Sequence, residues 1–202
     1  MANRTYIVLT DTCTIYPSAI EPDFLPEKQT AAQGIYCLPL LWVAMFRIDD
    51  LKAQQFEMEG ERVDLKAPLA RTQKALAQLE AAQEILQTMF ADQTSVMDYC
   101  ALLREAVTGV QREWITIELD EVASMGDPDT FFAYLELALR ALGGEVPHGV
   151  GRTALLRLAE LEPATRFPEI QLLMEQSRAT NEESLTVSQI LGCSWLRPVP
   201  WE

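Results

Sequence analysis

The chain is poor in the side chains that most metal and nucleophilic sites need, with one histidine and four cysteines in 202 residues. Cys13, Cys37, Cys100 and Cys193 lie far apart and form no Cys-x-x-Cys pair. A zinc site of the familiar kinds would need carboxylates at most positions, so no metal or other cofactor is expected. His148 is the one imidazole that a Ser or Cys nucleophile could recruit, and there is no Gly-x-Ser-x-Gly elbow. Long apolar runs are also missing. The longest, from Ile35 to Phe46, is interrupted by Pro39 and stops at Arg47, short of the ~20 residues of a bilayer-spanning helix. The opening Met1 to Asp11 has too short an apolar stretch for a signal-peptide core. The expectation is a cytoplasmic protein with four free, mostly buried thiols. Basic residues are scarce, 16 against 30 acidic ones, and the formal charge of −14 opposes attraction to phosphate backbones and anionic lipid. Neither nucleic acid nor a membrane surface is an expected partner.

What is present reads as a globular chain, 49% hydrophobic and 23% charged, long enough to bury roughly 70% of its unfolded surface. Thr5 to Thr10 has the β-formers of a first strand. The stretch from Cys13 to Gly34 holds Pro17, Pro22 and Pro26 and reads as an irregular surface excursion, long enough to carry function. Pro39 fits a helix start, and the apolar residues after it make that helix central. Pro68 to Phe90 has the spacing of a long amphipathic helix, and Val96, Tyr99, Cys100, Leu103 and Val107 that of a second, antiparallel one. Glu113 to Asp120 alternates at period two, the pattern of a strand with one wet face and the natural partner of the first strand. Asp127 as N-cap, Pro128 at the first helical position and Gly143-Gly144 at the end bound a further helix. Two more helices are expected around Arg152 to Leu161 and Pro168 to Ala179. The fold class is therefore α+β: a single, predominantly helical acidic domain spanning residues 1–202. Its small sheet has strands near 5–10 and 113–119, with further candidates at 56–63 and 185–196, packed on amphipathic helices.

Two groups of residues are candidate sites. Glu57, Glu59 and Glu61, at period two in an extended segment, would project to one side. With Asp49, Asp50 and Asp64 nearby, they make an acidic patch suited to steering a basic partner. The alternative is the loop from Gly143 to Arg152, where glycines could hold a phosphate beneath a helix N-terminus, with His148 and Arg152 as polar groups. It matches neither a Walker A motif nor a dinucleotide fingerprint, and an ordinary helix stop and turn is the stronger expectation. The carboxylate pairs Glu118 with Asp120 and Glu121, Asp127 with Asp129, and Glu182-Glu183 are read as solvated surface.

Ala2-Asn3-Arg4-Thr5-Tyr6, Gly34-Ile35-Tyr36-Cys37-Leu38-Pro39-Leu40-Leu41, and Trp114 to Val122 followed by Phe131-Phe132-Ala133-Tyr134-Leu135 together resemble a bacterial family. Its members begin with an Ala-Asn-Arg-Ser/Thr-Tyr strand, carry an Ile-Pro-Leu-Leu helix start and have a later strand ending in a Glu-rich turn. Leu38 stands here where the family has Ile. The resemblance implies a small cytosolic protein, immunity-protein-like, since some relatives accompany secreted antibacterial toxins; it carries no catalytic residues across. The leading expectation is a non-enzymatic binding protein that covers the active site of a basic toxin domain. The alternatives are a small enzyme or sensor that takes a phosphorylated or nucleotide ligand in the 143–152 loop, and a homo-oligomeric assembly module.

Overall fold

A computed structural model describes residues 3–58, 60–90, 94–161 and 189–193. It shows an α+β fold in which a five-stranded antiparallel sheet of order β2-β1-β5-β4-β3 packs against helices. β1 (Arg4–Thr10) lies between β2 (Thr30–Ile35) and β5 (Trp114–Glu118), with Ile7 opposite Ile117 and Tyr6 opposite Glu118. The expected pairing of the first strand with the segment after Glu113 is thus observed. β4 (Glu61–Arg71) joins β5 only through Leu69, Ala70 and Arg71, and pairs along most of its length with β3 (Leu51–Met58).

The core lies on the face of the sheet that carries Ile7, Leu9, Ile115 and Ile117, all fully buried. Against it pack α4 (Thr72–Phe90), α5 (Thr94–Thr108), α7 (Pro128–Leu142) and α8 (His148–Leu158). The amphipathic spacing is realised: Leu79 and Leu86 of α4, and Val96, Cys100, Leu103 and Val107 of α5, are inside. Every residue from Leu40 to Phe46 has 0% exposure. Each large apolar side chain there contributes roughly 2 kcal/mol over an exposed one. Trp42 Nε1 donates to the Leu191 carbonyl at 2.8 Å, so the one polar side-chain atom of this fully buried ring is satisfied. Asp127 caps α7 by accepting from the Thr130 N–H at 3.2 Å, and Gly144 takes the left-handed conformation just past its end.

Several boundaries differ from expectation, each for a local physical reason. The Cys13–Gly34 segment is not wholly irregular: it holds α1 (Pro17–Ile20), α2 (Pro26–Gln29) and the start of β2. The central helix expected from Pro39 is a single turn: β2 ends at Ile35, Pro39 caps the start and only Leu40–Val43 (α3) is helical before turns take over. The single strand expected at 56–63 is a hairpin whose chain reverses at Gly60, with φ +84. A helix does not begin at Pro68. The strand continues to Arg71, and Pro68 sits where pairing with β5 stops, so its missing N–H leaves no ladder bond unmade; the Thr116 hydroxyl donates to its carbonyl at 2.8 Å. In the last candidate strand, 185–196, the described residues Gln189–Leu191 are helical and Cys193 bridges Gln33 on β2. The helix expected at 168–179, and Trp195 and Trp201 in the expected tail, fall outside the described residues.

Candidate functional site

β5 does not have the wet face its alternation implies. Thr116 is fully buried and Glu118 is 6% exposed, because the segment after β1 folds back across that side of the sheet. The Thr116 hydroxyl donates to the Ile15 carbonyl at 3.2 Å, Gln54 Oε1 of β3 accepts the Ile15 N–H at 3.0 Å, and the Tyr16 ring meets Phe56 edge-on at 5.9 Å. β5 then ends: Leu119, at φ −139 and ψ 6, leaves strand geometry and starts α6 (Asp120–Ala123). β4 meanwhile runs on past the end of β5. Between the two opens a groove of about 900 Å³, with β4 as one wall, Glu118 to Ser124 and the start of α7 as the other, and Ile15 and Tyr16 between them.

The groove gathers Glu61, Asp64, Glu118, Asp120 and Asp129, while Lys66 is the single cation among its described lining residues. Lys66 is already engaged, 2.5 Å from Glu136 on α7 and 5.4 Å from the Phe132 ring. Glu118 is the most buried of these acids. Both its oxygens accept the Ser18 hydroxyl at 2.8 Å, and Oε1 also accepts the Ser18 N–H at 3.0 Å. Burial nevertheless pushes its carboxyl up to about 7, only partly opposed by Ser18 and reinforced by the charges of Asp120 and Glu121. Burial raises Asp120 as well, and the Tyr16 hydroxyl donates to Asp120 at 3.3 Å. The Tyr16 phenol, half-buried beside two carboxylates, is held firmly protonated. A group that titrates near neutrality inside a cleft is the usual signature of a functional site. In the sequence alone Glu118 and Asp120 have the pattern of solvated surface. Alternation reveals which face a residue shares, but not what will cover that face.

The acidic patch expected from sequence is not assembled. Asp50 is 3% exposed and structural: it accepts the Arg47 N–H at 2.9 Å and Gln78 Nε2 at 3.0 Å, and pairs with Lys74 at 2.5 Å. Asp49 is exposed beside it, and its carbonyl accepts Lys52. Because the chain turns at Gly60, Glu57 lies opposite Arg62 while Glu61 lies opposite Met58, so the two glutamates are on opposite faces of the hairpin. Glu59 falls outside the described residues. Of the expected set, only Glu61 and Asp64 reach the groove; Asp64 also accepts from Gln55 at 3.1 Å.

The 143–152 segment is a helix connection. His148 is exposed at the start of α8, and the Arg152 guanidinium lies 5.6 Å from the Phe90 ring of α4. Gly151 is needed for close packing, since a Cβ there would run into Ala141 of α7 and lie 2.8 Å from Met89. Neither His148 nor Arg152 lines a described groove. A second groove, of about 840 Å³, runs past Tyr36, Met125, Phe131 and Tyr134 to Arg157 and Glu160. None of the four cysteines is in a disulfide, and burial pushes the thiols of Cys37 and Cys100 up to about 12, which leaves them inert at neutral pH. Among the described residues no three His, Cys, Asp or Glu side chains gather to hold a metal ion, and no helix is long and apolar enough to cross a membrane. Comparison of the chain with protein-family models, curated proteins and solved structures gives no match.

Proposed function

We propose that the chain is a binding protein that receives a cationic group of a basic protein partner in the groove between β4 and the end of β5. The biological role that fits is that of an immunity protein, which acts in the cytoplasm by covering the active site of a cognate secreted antibacterial toxin. The observation that carries the reading is the unbalanced lining, with Glu118 and Asp120 at the inner end, Asp64 at the rim and the one cation, Lys66, already paired with Glu136. Ionising Glu118 costs free energy while no cation is near. An arriving Lys or Arg side chain removes that cost, so the site favours a positive ligand over a neutral one of the same shape. The overall charge of −14 steers such a partner from a distance. Affinity purification with the full chain as bait, followed by titration of the captured partner, tests this. Support is a basic partner whose affinity falls steeply with added salt and falls at least tenfold in the Asp64→Asn, Glu118→Gln, Asp120→Asn triple variant. Unchanged binding by a folded triple variant contradicts it.

One observation favours a second reading. A carboxyl titrating at about 7, close to Asp120 and the Tyr16 hydroxyl, is suited to general acid–base catalysis at neutral pH. On that reading a small polar ligand, rather than a protein, stabilises the chain; one present at 100 times its dissociation constant adds roughly 2.7 kcal/mol. A thermal-shift screen separates the two: stabilisation by a small cationic or neutral metabolite that is lost in Glu118→Gln supports the enzyme.

A further inference from the structure

The way β4 borders the groove indicates how the partner is gripped. A sheet face shows a neighbour every second residue, because side chains alternate. Here Val63, Asp64, Leu65, Lys66 and Ala67 all line the groove in succession. Five consecutive residues can do this only if the groove runs along the edge of the strand. Among the described residues nothing pairs with that edge. β4 bonds β3 on one side from Glu61 to Pro68, whereas on the other side β5 accompanies it only from Leu69 to Arg71. Among the described residues no loop or turn bonds the main chain of residues 61–67 in place of β5. β5 itself continues to Glu118, whose register position is opposite Ala67, but its pairing with β4 stops at Leu69, next to Pro68, which has no N–H to carry it on. Alternate N–H and C=O groups of β4 therefore face the groove with its acids beside them.

We infer that the groove accepts an extended, lysine- or arginine-bearing segment of the partner protein as an added antiparallel or parallel strand on β4, its cationic side chains meeting Asp64, Glu118 and Asp120. This deepens the binding reading above and rests on it. The occupant is fixed by two independent kinds of complementarity. The open ladder asks for extended backbone, and the acidic walls ask for positive charge, which an anionic or neutral strand would not supply. Residues 63–67 offer about 16 Å of edge at ~3.3 Å per residue, room for about five residues of partner chain.

The test uses the full chain and capped heptapeptides that alternate lysine with valine. The parent peptide is compared with two versions N-methylated on alternate backbone nitrogens, which keep every charge but lose the donors of one edge, and with a glutamate–valine peptide. Expected is saturable binding of the parent, at least a tenfold loss on methylating one edge and less than twofold on methylating the other. The amides of residues 61–67 gain hydrogen-exchange protection, and the exposed variant Asp64→Lys binds at least fivefold more weakly. Equal binding of the parent and both methylated peptides overturns strand addition and leaves the cation-binding reading standing. Equal binding of the glutamate peptide overturns that reading as well, and absence of binding by every peptide overturns strand addition.

Discussion

Asp50 and Glu118 are buried almost equally, at 3% and 6% exposure, and have opposite surroundings. Asp50 is matched: a main-chain N–H, a side-chain amide and the Lys74 ammonium converge on it, tying the start of β3 to α4. Among the described residues, the Glu118 carboxylate has Ser18 alone for hydrogen bonds and two further carboxylates, Asp120 and Glu121, for electrostatic neighbours. A buried acid whose counter-charge is built in holds a fold together. One whose counter-charge is missing holds a proton, or waits for a cation brought from outside. Adjacency in sequence does not separate the two cases: of the adjacent acids Asp49 and Asp50 the second is matched inside the fold, whereas the adjacent Asp120 and Glu121 add negative charge beside Glu118.

The largest effect separating the two is expected at Asp50. Asp50→Ala removes three charge-assisted bonds and is expected to cost about 2–3 kcal/mol; Lys74, half in solvent, can return to water and limits the loss. Urea denaturation at pH 7 measures it, and a loss under 1 kcal/mol would break the comparison from the structural side.

Glu118→Gln is expected to act in the opposite direction. The Glu118 carboxyl ionises near 4.5 in the unfolded chain and near 7 in the folded one, so between these values the folded state binds the extra proton and stability falls as pH rises. Its contribution is fully present below about pH 4.5 and lost through pH 7. The glutamine variant lacks this slope. Relative to the parent it gains up to about 3 kcal/mol between pH 4 and pH 8, at ~1.4 kcal/mol per pH unit, read from melts across that range.

Ser18→Ala sharpens the same point, because it removes the hydroxyl that both Glu118 oxygens accept. Expected are a higher Glu118 midpoint and a loss of about 1 kcal/mol above pH 7 that shrinks on acidification. Tyr16→Phe is the smallest change. It removes one long hydrogen bond to Asp120 and keeps the edge-on contact with Phe56, so about 0.5 kcal/mol is expected.

The parts of the fold that local chemistry decides were legible. The β-formers of Thr5–Thr10, the alternation at Trp114–Glu118 and the Asp127-Pro128 helix start each announce themselves within a few residues. β2 was not, since Thr-Ala-Ala-Gln-Gly-Ile carries little β-propensity and owes its extended form to pairing with β1. The strand through Pro68 was missed because a proline before an apolar helical pattern reads as a helix start, and only the point where β5 stops makes it a strand residue. The site was half legible. Asp64 and Glu61 stand out in the sequence as acids of an extended segment, and the proline-bearing excursion after Cys13 is long enough to carry function. That this excursion would seal Glu118 under Ser18 depends on contacts 100 residues apart in the chain.

The central claim is that Glu118 is a buried acid lacking a built-in counter-charge and open to one supplied by a ligand. Carbon-detected NMR of its carboxyl, titrated in the free protein and with the lysine–valine peptide bound, tests it most directly. The account expects a midpoint near 7 in the free protein, falling by roughly 1–3 pH units when the cationic strand binds. A free-protein midpoint at the ordinary 4.5, or one that binding leaves in place, would contradict it.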